Sequence, residues 1–211
     1  MNILTGIENI IFDFGGVIFD IDPQLSVNAF KDLGIDKIGD TYTKLEKIDL
    51  FEKFETGKIK SEEFYDGIRK MAGKNLTNQE LKDTWTSMLI RMPLENIRLL
   101  QTLKQKHRLF LLSNTNEIHC KHFEHIILKN HGVSLPDLFE KTYYSHLIGY
   151  RKPDKEIYQY VLRDSRLNAS KTLFIDDSIK NIEGAEKSGI KGIHLEKGVT
   201  ISDLFNNELL L

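Results

Sequence analysis

The stretch IIFDFGGVIFD, Ile10 to Asp20, decides how the rest of the chain is read. From Ile7 to Phe14 the residues are largely apolar and β-branched, which suits a strand buried inside a sheet. Asp13 closes the apolar core of that run, and Gly15-Gly16 follows as a turn. In open parallel sheets, ligands bind just outside the carboxyl ends of the strands. An acid at the end of such a strand is therefore a candidate for chemistry.

Working outward from this stretch, the character changes between Pro23 and Met92. Apolar residues recur at helical spacing: Leu25, Ala29, Phe30 and Leu33, then Leu45, Ile48, Phe51 and Phe54, then Phe64, Ile68 and Met71, then Leu81, Trp85, Met88 and Leu89. Gly34, Gly57 and Gly73 stand where helices would stop, and Thr77 with Glu80 has the spacing of a capping box. Several helices and almost no strand are expected there. After Pro93 the pattern alternates. Helices are expected over Leu94–Lys106, Glu117–Lys129, Asp154–Arg163 and Asn181–Lys187. Strands are expected over Arg108–Leu112, Tyr143–Ile148, Thr172–Ile175 and, as a last buried strand, Ile190–Leu195. Strands alternating with helices imply a parallel sheet with right-handed crossovers. The expected fold is α/β, a Rossmann-like parallel core in residues 1–19 and 93–211, interrupted by a helical insertion in residues 20–92.

The totals narrow the classes of function. The 211 residues carry 29 Lys and Arg against 31 Asp and Glu, a formal charge of -2, with no basic stripe to suit nucleic acid. One cysteine, Cys120, excludes an intramolecular disulfide framework and fits a reducing compartment. No apolar run approaches a membrane span, and Met1 to Glu8 does not read as a signal peptide. A cytoplasmic protein with neither a membrane nor a nucleic-acid partner is expected.

Three of the expected strands end in polar residues: Asp13, Ser113-Asn114 and Asp176-Asp177. Arg151-Lys152-Pro153 lies on a loop between them. Carboxylates such as Asp13 and Asp177, brought together, repel and resist ionising. A hard divalent cation resolves that conflict, and Mg²⁺ prefers a few carboxylate oxygens with water and phosphate. The other residues suit a phosphate. Ser113 and Asn114 offer a hydroxyl and backbone N–H groups at a strand-to-helix junction, and Lys152 offers a mobile charge. Together these groups could stabilise a transferring phosphoryl group, and Asp13 could accept it covalently. Plainer roles exist for each: Asp13 as a turn residue, Ser113-Asn114 as a helix N-cap, Lys152 as a solvated lysine, Asp176-Asp177 as an acidic helix start. The group His119, Cys120, His122 and His125 is too irregular for a zinc site and reads as a polar helix face, with His119 near the expected crevice.

Taken in order, the segments IIFDFGGVIFD, LLSNTN (Leu111 to Asn116), RKP (Arg151 to Pro153) and FIDDSIKN (Phe174 to Asn181) resemble the four motifs of the haloacid dehalogenase-like hydrolases. The resemblance covers nearly the whole chain and makes the helical insertion a C1-type cap. It implies Asp13 as nucleophile, Ser113 and Lys152 as catalytic and phosphate-binding residues, and Asn114 as a phosphate-binding neighbour. Mg²⁺ would be held by Asp13, the Gly15 carbonyl and Asp177, with Asp176 behind. One position departs from the common pattern: Gly15 stands where a second aspartate usually acts as general acid and base. Such help is worth roughly 10²–10⁴-fold, so a good leaving group, such as that of a sugar 1-phosphate, is expected. The stretches VIFDID, FETGKI, LLSNTN, RKPDKEIYQ and FIDDSIKNIEGA are similar to bacterial α-D-glucose 1-phosphate phosphatases.

The function so implied is Mg²⁺-dependent hydrolysis of a small phosphorylated metabolite through an aspartyl-phosphate, with glucose 1-phosphate as the example. Two alternatives use the same residues. A 2-haloacid dehalogenase also lacks the second aspartate but has no acidic pair like Asp176-Asp177. A catalytically weak phospho-ligand-binding protein would account for Gly15 as well.

Overall fold

The computed structural model of the chain describes residues 3–35 and 49–205. Its strands are β1 (Asn9–Phe12), β2 (Asp20–Ile21), β3 (Leu89–Arg91), β4 (Arg108–Ser113), β5 (Lys141–Tyr144), β6 (Thr172–Asp176) and β7 (Lys191–His194). Five of them form one sheet in the order β5-β4-β1-β6-β7, every pair parallel. The expected α/β architecture is present. β1 lies at the centre, with Phe12 level with Leu111 of β4 on one side and Ile175 of β6 on the other. The chain thus leaves β1 toward opposite edges, and the strand ends on either side of it open a crevice there.

Both faces of the sheet are covered, which explains the apolar runs in its strands. Ile10, Phe12, Leu109, Leu111, Leu173 and Ile175 face one cluster, closed by residues such as Phe123, Leu138 and Phe205. The alternate residues Ile11, Phe110, Leu112 and Phe174 face another, with Tyr158, Val161 and Ile182. Strand periodicity of two divides the side chains between these layers.

Between β2 and β3 the described residues form the helices Pro23–Asp32, Asp49–Glu55, Ser61–Ala72 and Asn78–Thr86. Leu45 and Ile48, part of the expected helical spacing, lie outside the described residues. Phe30, Phe51, Phe54, Phe64, Leu81 and Trp85 build a separate apolar cluster. Phe54 stacks on Phe64 with centroids 4.3 Å apart. Thr77 caps its helix as the spacing predicts, accepting from the Glu80 N–H while the Glu80 carboxylate accepts from the Thr77 N–H. The turn after Asp49–Glu55 requires glycine twice over. Gly57 has φ of +68°, and a Cβ there would stand 2.1 Å from the His146 carbonyl oxygen. This contact seats the FETGKI stretch against the parallel sheet's side of the molecule.

Three local expectations are corrected. Leu89 belongs to β3, antiparallel to β2, because Asp20–Ile21 offers it a partner that periodicity does not reveal. The expected strand Tyr143–Ile148 splits: β5 ends at Tyr144, and Ser145–Ile148 is a helical turn. Ser145 turns the chain there by donating to the Thr115 carbonyl and accepting from the Thr115 N–H. β7 is an edge strand with partly exposed residues, buried only at its flanks Ile190 and Leu195. Among the described residues no helix is long and apolar enough to cross a membrane.

Candidate active site

Because β1 lies between β4 and β6, the ends of those three strands meet. Asp13 follows β1, and its N–H donates to the Ile175 carbonyl at 2.9 Å. The next residues turn sharply, with the N–H groups of Ile18 and Phe19 both donating to the Phe14 carbonyl at 2.9 Å. Gly16 has φ of +79°, and a Cβ there would lie 2.5 Å from Asp177 Oδ2. The missing side chain lets the Asp177 carboxylate close against this turn. Gly15 is not in the left-handed region. A Cβ on it would meet only the end of the Ile21 side chain, at 2.9 Å.

Lys152 occupies the middle of the site and is 2% exposed. Its Nζ donates to Asp13 Oδ1 at 2.5 Å and to Asp176 Oδ2 at 2.7 Å. The Asn114 side chain clamps the backbone behind it: Nδ2 donates to the Lys152 carbonyl, and Oδ1 accepts from the Lys152 N–H, each at 2.9 Å. Asp176 is held in turn by the Ser178 N–H at 2.8 Å and by Asn181 Nδ2 at 2.9 and 3.0 Å. A buried, hydrogen-bonded network of this kind fixes one geometry. Ser113, buried, ends β4 beside Asp13's strand. The helix Glu117–His131 is capped by Asn116, whose Oδ1 accepts from the His119 N–H at 3.0 Å. The N-cap is therefore Asn116 and not Ser113-Asn114, because the extended chain runs on until Asn116 can reach back to that N–H.

The electrostatics are tense without a cation. Burial, reinforced by the negative charge of Asp176, outweighs Lys152 and pushes the Asp13 carboxyl above its usual range. Burial and Asp176 also raise Asp177. Lys152 goes up as well: burial alone would depress it, but Asp13 and Asp176 outweigh that cost. Asp13, Asp176 and Asp177 each bring an oxygen within 4.8 Å of the others. Three carboxylates less one ammonium leave a formal charge of -2. A hard divalent cation balances that charge with ligands of the preferred type. The residues therefore fit Mg²⁺.

The structure brings Asp13, Asn114, Lys152 and Asp177 together, with Gly15 in the turn after Asp13 and Ser113 buried at the end of the neighbouring β4, and it shows two contacts that the motifs do not imply. Asn114 works through its side-chain amide on the Lys152 backbone, and Asn181 holds Asp176. The Asn114 clamp depends on the RKP loop lying beside β4, 38 residues away, whereas Asn181 reaches Asp176 across five residues at the junction of β6 with its helix; the side chains' polar type was the sole signal in sequence.

His119 departs from the polar face expected of its helix. It is buried, stacks on Trp85 with centroids 4.7 Å apart, and its Nε2 bonds the Trp85 carbonyl at 2.9 Å. Cys120 is buried too. His119 meets the inserted helices through Trp85, whereas Cys120 packs into the sheet-side cluster. Burial pushes the His119 imidazole down to about 4, which keeps the ring neutral near pH 7. Between pH 6.5 and 4 an unfolded chain takes a proton that folded His119 refuses, so stability present above pH 6.5 is lost as pH falls through that window. The loss should reach about 3 kcal/mol, and His119→Gln should lack it. Urea unfolding at pH 7 and pH 4.5 checks this; equal acid sensitivity in both proteins would remove the buried neutral ring from the account.

Comparison with known proteins agrees with this geometry. The profile of the family described as haloacid dehalogenase-like hydrolase matches residues 7–189. A D-ribitol-5-phosphate phosphatase of Bacteroides thetaiotaomicron is 33% identical over 91% of this chain and 93% of its own length. A sesquiterpene phosphatase of Aspergillus oryzae is 30% identical over 90% of this chain and 91% of its own. The crystal structure of a HAD family enzyme from Bacteroides thetaiotaomicron, in complex with magnesium and inorganic phosphate, superposes with a TM-score of 0.86. It is 35% identical, and the match covers 94% of this chain and 99% of that one.

Proposed function

The chain belongs to the haloacid dehalogenase-like hydrolases, and from that membership we propose that it is a Mg²⁺-dependent phosphatase acting on a small phosphorylated metabolite. The observation that carries the reading is the buried Lys152 ammonium spanning Asp13 and Asp176, with Asp177 alongside. Relatives named as phosphatases, and a relative's complex with magnesium and phosphate, support it.

In this reading Asp13 is the nucleophile. Its carboxylate oxygen attacks phosphorus, the bond from phosphorus to the alcohol oxygen breaks with its electron pair going to that oxygen, and the departing oxygen takes its proton from solvent water. Water then cleaves the aspartyl-phosphate, releasing inorganic phosphate and restoring Asp13. Lys152 holds Asp13 in place and faces the charge that builds on the phosphoryl oxygens. Ser113 and the backbone at Asn114 orient the phosphate, while the Asn114 amide keeps Lys152 in position. Mg²⁺, held by Asp13, the Gly15 carbonyl and Asp177, would neutralise phosphate charge and orient the ester. Residues 20–92 act as a cap over a core formed by residues 1–19 and 93–211, a division supported by two apolar clusters drawn mainly from one part each, with Met92 and Ile118 as crossings.

Turnover of p-nitrophenyl phosphate should vanish with EDTA and return with added Mg²⁺. Asp177→Asn should raise the Mg²⁺ concentration needed for half-maximal rate by at least about 10-fold. A rate indifferent to EDTA, together with chloride release from 2-chloropropionate, would favour the dehalogenase instead.

No carboxylic acid stands at Gly15, and His119 is neutral and tied to Trp85. Such a site favours esters whose alcohol departs readily, which supports glucose 1-phosphate. The Bacteroides relative, named for a primary-alcohol ester, favours a second reading, a polyol 5-phosphate. On the first reading kcat/KM for glucose 1-phosphate exceeds that for glucose 6-phosphate by about 10-fold or more. Parity, or a preference for the 6-phosphate, would drop it in favour of the second.

A further inference from the structure

A cavity of about 460 Å³ opens beside Lys152 and reaches the helix Asp49–Glu55. That volume is ordinary for a small-molecule site, but the walls are not the usual apolar ones. Among the described residues, its lining beyond Asn114 and Lys152 is Glu52, Arg151, Asp154, Ser178, Lys180 and Asn181, with Pro153 as the sole apolar one. Lys152 is already matched to Asp13 and Asp176, and the Asn181 amide to Asp176. Four other charged side chains line the cavity, Glu52, Arg151, Asp154 and Lys180, none of them tied to Asp13 or Asp176 by an ion pair among the described residues. Arg151 is steadied by Glu55, whose carboxylate lies 3.3 Å away, one helical turn from Glu52. Asp154 stands at the N-cap of the helix Lys155–Asp164, yet its side chain makes no capping bond.

These four comprise two cations, Arg151 and Lys180, and two anions, Glu52 and Asp154. A second acidic group on the ligand would gain from one pair and suffer from the other. An apolar tail would strip water from all four without replacing its hydrogen bonds. Hydroxyl groups donate and accept at once, so a chain of them can satisfy carboxylates and cations together. We propose that this cavity receives the alcohol part of the ester, and that Glu52, Arg151, Asp154 and Lys180 are specificity-determining residues selecting a neutral, polyhydroxylated group over an apolar one. The sesquiterpene named for the Aspergillus relative is the kind of group this lining rejects. Sites built to hydrogen-bond a hydroxyl discriminate strongly against analogues that lack it.

The inference rests on the phosphatase reading for the ester, and two measurements on the full chain keep the two apart. With Mg²⁺ present, kcat/KM for glucose 1-phosphate or ribitol 5-phosphate should exceed that for farnesyl phosphate by at least about 100-fold. Glu52→Ala and Lys180→Ala should each lower the ratio of kcat/KM for the better sugar ester to that for p-nitrophenyl phosphate by about 10-fold, chiefly through KM. Unchanged ratios in both variants, or farnesyl phosphate as the better substrate, overturn the assignment. Calorimetric titration of Asp13→Asn protein needs no turnover. There the sugar ester should bind more tightly than farnesyl phosphate, and adding Glu52→Ala should weaken it by about 10-fold; equal binding in both proteins overturns the assignment. Wild-type protein that hydrolyses none of these esters would end the phosphatase reading, and the titration alone would then decide the cavity's ligand.

Discussion

Asp13→Asn is expected to lower kcat for p-nitrophenyl phosphate by at least about 10³-fold, with no loss of stability. The amide nearly matches the carboxylate in shape, and its oxygen can still accept from Lys152, which retains Asp176 at 2.7 Å. It cannot supply the anionic oxygen that bonds to phosphorus. Stability should hold because burial and Asp176 already penalise the charged Asp13 carboxyl in the folded state; removing that charge relieves repulsion in a low-dielectric site. Rate and thermal unfolding measured on one preparation check both halves. Near-wild-type turnover in a folded variant would sink the covalent mechanism. A lost rate with a collapsed unfolding temperature would show Asp13 to be structural first.

Lys152→Met should fail differently. Its ammonium is the positive group bonded to two buried carboxylates, and Met leaves Asp13 and Asp176 facing each other without it. Breaking a buried pair from one side typically costs about 3–5 kcal/mol, and losing a charge aimed at the transferring group costs on the order of 10²–10³ in rate. Mg²⁺ should restore part of the stability, since a divalent cation can offset the uncovered negative charge, but not the rate. Urea midpoints with and without Mg²⁺, read beside kcat, test this. An unchanged midpoint in metal-free buffer would mean that the ion pairs contribute nothing to the fold.

Much of the architecture was legible because its causes are local. Runs such as Leu109–Leu112 and Leu173–Ile175 are apolar at every position because both faces of the sheet are covered. Gly57 and Gly73 mark helix ends through left-handed backbone that other residues resist. Thr77 and Glu80 cap a helix with bonds spanning three residues. Local pattern is silent where a tertiary partner decides: β3 needs its partner β2, and β7 differs from a buried strand in having one neighbour instead of two.

The candidate site divides along the same line. Residue types at strand ends, an acid after β1, Ser113 after an apolar run and an acidic pair after another, are properties of the sequence by itself. So is the chemistry those types can perform. Their meeting is not. It depends on β1 pairing with both β4 and β6, across separations that no local period encodes. The same holds for Lys152, brought to Asp13 from 139 residues away, for the Asn114 clamp behind it, and for His119, turned inward by helices that a polar pattern could not foresee. Local pattern reports how each segment meets water. Which segments then meet one another is decided by packing that buries all those faces at once, and only the tertiary structure holds that solution.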